Sequence, residues 1–120
     1  MSSKKSTGDW GESAALAYYE KRGCTLIARG YKTRFGEIDL IIRDGRYVVF
    51  AEVKLRKNRE FANARDYVTA AKRRRLRATA EIWLAANEPD ASARFDVVEV
   101  YAPDGVRTAE PEIVCIEDAF

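Results

Sequence analysis

The sequence predicts an α/β fold in which helices flank a mixed central sheet, and three observations carry that expectation. Helical and strand periodicities follow one another in the order α-β-β-β-α-β-β. Asp44-Gly45-Arg46 separates two strand-like runs and reads as a hairpin turn, which makes those runs antiparallel neighbours. The run from Tyr47 to Leu55 begins apolar on both of its alternating faces, as a central strand covered on each side should. A chain of 120 residues, 47% hydrophobic, can fill one core and is too short for two ordinary domains. Residues 9–120 are therefore read as a single domain behind a tail, residues 1–8, that is expected to be disordered.

The elements follow in order. Asp9 to Arg22 carries good helix formers with apolar residues at Trp10, Ala14, Ala17 and Tyr18, and Gly23 is a suitable stop. Strands are expected at Thr25 to Tyr31, Glu37 to Arg43 and Tyr47 to Leu55. The segment Arg56 to Arg65 is polar and irregular. A second helix is expected from about Tyr67 to Ala86, where Val68, Ala71, Leu76, Ala80, Trp83 and Leu84 recur at helical spacing before Asn87-Glu88-Pro89-Asp90 ends it. Arg94 to Tyr101 and Ile113 to Ile116 complete the strands.

Composition excludes several function classes. There is no histidine, so imidazole acid–base chemistry and Ser-His or Cys-His nucleophiles are unavailable to the chain. Cys24 and Cys115 are isolated, which argues against zinc and suits a reducing compartment. No apolar run approaches the ~18 residues a membrane helix needs, and no apolar segment follows the polar Met1 to Thr7, so a cytoplasmic protein with no membrane partner is expected. The formal charge of +2 is small but polarised. Lys54 to Arg77 holds ten basic and two acidic residues, leaving the rest of the chain at −6.

Chemistry concentrates on two strands. Alternation places Glu52 and Lys54 on the face of Val48 and Phe50, where an unpaired charge would be costly. In the preceding strand Glu37 and Asp39 share a face with Ile41, and Ile38, Leu40 and Ile42 take the other. If the hairpin turns at Asp44 to Arg46, acids of adjacent strands come within reach of one another. Paired carboxylates repel unless a cation neutralises them, and oxygen donors favour Mg²⁺ or Mn²⁺. Asp39 and Glu52, with the Val53 carbonyl, form the candidate metal set, and Lys54 could orient an attacking water or stabilise charge on a phosphate. The plain alternative is a same-face ion pair between Glu52 and Lys54 with Asp39 as a solvated neighbour.

Gly8-x-x-Gly11-Glu12, Gly36-Glu37-Ile38-Asp39-Leu40-Ile41, Glu52-Val53-Lys54-x-Arg56, Lys72-x-x-x-Leu76 and Arg94-Phe95-Asp96-Val97-Val98, in that order, resemble the small bacterial YraN-like family. That family looks like a branch of the PD-(D/E)xK nuclease superfamily, nearest in layout to archaeal Holliday junction resolvases. The resemblance implies a restriction-endonuclease-like sheet, with Asp39 and Glu52 as metal ligands, Lys54 as catalytic lysine and Glu12 as a supporting acid. Ile38 stands where the superfamily name has proline. Glu12 also reads simply as an acid complementing a helix dipole, and Glu37 as a partner for Arg34 or Arg43.

Arg73, Arg74 and Arg77 fall on one flank of the second helix, and Arg56, Lys57 and Arg59 directly follow the proposed catalytic strand. Together with Lys72, on the edge of the apolar stripe, they form the expected nucleic-acid contact surface, most simply for DNA backbone. The expected activity is metal-dependent hydrolysis of phosphodiester bonds in DNA, with branched or damaged DNA as the class the resemblance suggests. The competing readings are a binding module that keeps the nuclease fold without turnover, and a protein-interaction domain. A homodimer is left open.

Overall fold

The computed structural model describes residues 4–58 and 69–120, with side chains from Gly8 onward. Arg59, one expected phosphate contact, and the expected helical residues Tyr67 and Val68 lie outside the described residues. The order is α1 (Lys4–Lys21), β1 (Thr25–Thr33), β2 (Gly36–Asp44), β3 (Tyr47–Arg56), α2 (Ala70–Asn87), β4 (Ser92–Tyr101) and β5 (Glu112–Ile116). The strands form one mixed sheet in the spatial order β1-β2-β3-β4-β5. Only β3 and β4 are parallel, because α2 carries the chain across the sheet between them. The expected mixed α/β architecture is the one observed.

Each helix covers one face. On one side Leu76, Ala80 and Trp83 of α2 pack on Ile38, Ile41, Val48, Phe50, Phe95 and Val97. On the other, Ala15 and Tyr19 of α1 pack on Leu40, Ile42, Val49, Ala51, Val98 and Val100. β3 therefore contributes to both cores, which explains its apolar run. Thr69 caps α2 by accepting the Lys72 N–H at 3.1 Å, with Ala70 as the first residue of the helix.

Two expectations need correction. Helix α1 starts at Lys4, inside the segment expected to be disordered. Of its expected apolar residues Trp10, Ala14 and Tyr18 pack half-buried against the core, whereas Ala17 is exposed, and the fully buried line is Gly11, Ala15 and Tyr19. Gly11 lies over β3, where a Cβ would make ordinary contacts with a Leu55 methyl at 3.7 Å and a Val53 methyl at 3.9 Å. Tyr19 reaches Asp96 with its hydroxyl at 2.8 Å.

In β2 the expected alternation breaks. Ile38 packs on the α2 side with Ile41, whereas Leu40 and Ile42 face α1. The pairing runs from Arg29↔Leu40 to Tyr31↔Ile38, so Gly30 stands opposite Asp39, and its φ of +64° is one an L side chain adopts only under strain. The strand turns over at that point, and the point is the candidate site.

Candidate active site

The site forms where two strands part. β2 and β3 pair from Asp44↔Tyr47 to Leu40↔Ala51, after which β3 stays paired only with β4. In the opening, the Val53 N–H donates to Asp39 Oδ2 at 2.8 Å, so a side chain takes the place of the missing ladder bond. The Val53 carbonyl lies on the same edge of its strand. Burial, reinforced by the charge of Glu52 and then of Glu12 and Glu37, pushes the Asp39 carboxyl up to about 7 despite the Val53 hydrogen bond.

Glu52 lies on the α2 side of β3, buried, and meets two lysines. Lys72 Nζ of α2 donates to Glu52 Oε1 at 2.8 Å, and Lys54 Nζ stands 3.5 Å from the same oxygen. The two ammonium groups are not equivalent. Burial and then the neighbouring Lys72 lower the Lys54 pKa. Burial is the largest single influence on Lys72 and opposes its charge, but the hydrogen bond to Glu52 and the charges of Glu52 and Asp39 together outweigh it and raise its pKa.

Glu12 and Asp39 line one open cleft of about 800 Å³ between the start of α1 and the β1–β2 hairpin, together with Asp9, Arg29, Lys32 and Glu37. Glu12 is held there by Arg29 at 3.1 Å, and burial raises its pKa. The expected convergence is thus in two parts: Asp39 and Glu12 face the cleft, while Glu52, Lys54 and Lys72 stand beside it on the α2 side, close enough for Glu52 to raise Asp39. Among the described residues no group of three or more acids, cysteines or histidines is placed to hold a metal ion.

The family motifs are now tied to a geometry, and the comparisons decide the family. Residues 11–100 match the model of "Uncharacterised protein family UPF0102". The chain belongs to UPF0102. This is the YraN-like family to which the motifs pointed. Similar relatives include the "UPF0102 protein" of Geotalea daltonii, 42% identical over 97% of this chain and 90% of that protein. One from Nitrosomonas europaea is 42% identical over 100% and 98% of the two chains. A third, from Symbiobacterium thermophilum, is 48% identical over 82% and 85%.

In this UPF0102 chain the expected basic surface divides. Lys57, Arg73, Arg74 and Arg77 are exposed. Arg56 instead turns to the buried Glu99 of β4 at 3.5 Å, where Tyr101 also donates to Glu99 at 2.8 Å. The Arg77 guanidinium stands over the rings of Phe95 and Phe120, at 5.1 and 5.8 Å from their centres. Glu99 is a residue sequence reasoning missed. It is paired with Lys54 across β3 and β4, and the signal was present: a charged residue inside the apolar alternation Phe95, Val97, Glu99, the same conflict that exposed Glu52. No helix among the described residues is long and apolar enough to cross a membrane.

Proposed function

We propose that the chain is a divalent-metal-dependent endonuclease that hydrolyses phosphodiester bonds in DNA. The observation that carries this reading is the Asp39–Glu52 pair at the parting of β2 and β3, where burial and neighbouring acids push Asp39 up to about 7. Such surplus negative charge is what a hard cation would relieve, and carboxylate oxygens with the Val53 carbonyl suit Mg²⁺ or Mn²⁺. Two carboxylates leave most of an octahedral shell to water and a phosphate oxygen. When bound, the ion would polarise the phosphate and make its bound water a stronger acid.

The chain's own groups divide the remaining work. Lys54, with its lowered pKa, is the group suited to orient the attacking water and exchange a proton with it. Lys72 stays charged, holds the Glu52 carboxylate in place and offers positive charge to the developing phosphorane. Glu12, fixed by Arg29, orients water along the cleft wall. Lys57, Arg73 and Arg74 would seat the DNA backbone. The ordered likeness to PD-(D/E)xK nucleases supports the assignment. One observation favours a second reading, a binding module without turnover: Glu52 already has two lysine partners.

A cleavage screen over linear, nicked, flapped and four-way DNA with Mg²⁺ and Mn²⁺ separates the two. Cleavage by the parent protein that is lost in Glu52→Ala is expected. Salt-sensitive binding with no cleavage of any substrate would replace the nuclease with the binding module.

A further inference from the structure

The turn joining β1 to β2 is only two residues long, Arg34-Phe35, and an aromatic stands at its tip. Turns of this size favour Gly, Asn and Asp, and an apolar ring there gains nothing from the core. Phe35 is 40% exposed, and the Arg34 guanidinium lies over its ring at 4.8 Å. The tip is also held from behind. Thr33 Oγ1 lies 3.1 Å from Thr79 Oγ1 of α2 and accepts the Phe35 N–H at 3.1 Å, while Thr79 donates to the Arg75 carbonyl at 2.8 Å. Gly36 sits against α2, where a Cβ would make ordinary contacts with Thr79 Oγ1 at 3.6 Å and the Arg75 Cβ at 3.7 Å. A braced hairpin presents its ring at little further cost in entropy.

The surroundings indicate what the ring meets. Lys32, Arg34 and Arg75 are exposed beside it, with Glu37 as the cross-strand partner of Lys32. Lys32 and Glu37 also line the cleft that holds Asp39. Asp39 lies four positions after Phe35 along β2, about 13 Å at strand rise, or about four stacked base steps. An exposed aromatic set among cations at a fixed distance from a phosphodiester site is the pattern that stacks on an unpaired nucleobase.

We propose that Phe35, with Arg34, is a stacking platform for an unpaired base, which directs the chain to DNA carrying single-stranded or branched positions beside the cleavage site. This rests on the nuclease reading for its substrate, but its test does not. Binding of a forked oligonucleotide and of a blunt duplex of equal length is measured by fluorescence anisotropy without metal, for the parent, Phe35→Ala and Phe35→Trp. Expected is at least a fivefold loss of fork affinity in Phe35→Ala, a change under about twofold on the duplex, and recovery in Phe35→Trp. Unchanged circular dichroism melting establishes that the variants fold.

A fork-to-duplex ratio that Phe35→Ala leaves unaltered overturns the proposal. So does an unaltered ratio accompanied by a changed sedimentation mass, which would make the tip a contact between protein chains. Cleavage of duplex DNA with no Phe35-dependent preference would defeat this inference alone, and a Phe35-dependent preference without cleavage in Mg²⁺ or Mn²⁺ would defeat the nuclease reading alone.

Discussion

Two aspartates in the same sheet, one buried and one half-buried, are treated in opposite ways. Asp96 in β4 is fully buried and fully matched: Arg94 grips it with a two-pronged contact at 2.9 and 3.1 Å, Tyr19 donates at 2.8 Å and the Asp118 N–H at 3.1 Å. Arg94 also reaches Asp44 at 2.9 Å, tying β4 to the end of β2. Asp39 sits where strand pairing stops, accepts the Val53 N–H, and is raised by Glu52, Glu12 and Glu37, although Lys72 is within its field and Arg29 and Lys32 share its cleft. A satisfied network holds the fold together, whereas an acid whose field is dominated by other acids costs stability unless something else neutralises it. The contrast separates residues that maintain the fold from those that the proposed site would use.

The largest difference is expected in stability. Asp96→Ala leaves the Arg94 guanidinium buried without its main partner and should destabilise the chain by about 3–5 kcal/mol in denaturant unfolding. Asp39→Asn, at pH 8, should be neutral or stabilising. Equal losses at both positions would erase the distinction.

The pH dependence sharpens it. Asp39 has a folded pKa near 7 against an ordinary value of 3.8, so between those limits the folded chain holds a proton the unfolded chain has released. Its contribution therefore falls as pH rises through that window, by at most about 4 kcal/mol. Asp39→Asn should gain on the parent from pH 5 to pH 8 in thermal melts, and parallel stability curves for the two proteins would contradict the raised pKa.

The two lysines should then separate by about 1 kcal/mol or less, because both are partly exposed. Lys72→Ala removes the cation nearest Glu52 and should tighten Mn²⁺ binding while weakening cleavage. Lys54→Ala should change Mn²⁺ binding less and remove cleavage. Weaker Mn²⁺ binding in Lys72→Ala would show that the lysine supports the metal instead of competing with it. Smallest in stability, within about 0.5 kcal/mol, should be the joint replacement of Arg73 and Arg74 by Ala. It should nonetheless flatten the salt dependence of duplex binding by about 0.9 log unit per lost phosphate contact. An unchanged slope would leave that flank a solvated surface.

Element order, the central position of β3 and the placing of Glu52 with Lys54 on the α2 face were legible because each follows from local periodicity. Asp39 was legible as a misfit in β2, but the turnover that carries Ile38 to the α2 side was not, since strict alternation assumes a regular strand. Gly30 was the available signal, as a glycine within a strand pattern marks a bulge or irregularity. The Arg56–Glu99 and Tyr19–Asp96 contacts join residues 43 and 77 positions apart, and nothing in the neighbourhood of either partner specifies the other. Lys72 was placed correctly at the edge of the stripe, yet its choice of Glu52 depends on how α2 lies across the sheet.

Asp39 and Glu52 are proposed to form together a cation site held open at the expense of stability. Calorimetric titration with Mn²⁺ at pH 8, for the parent and for the Asp39→Ala, Glu52→Ala double variant, tests it most directly. Weak saturable binding is expected in the parent and none in the double variant, with both proteins folded. The same response from both would show that these two carboxylates hold no metal.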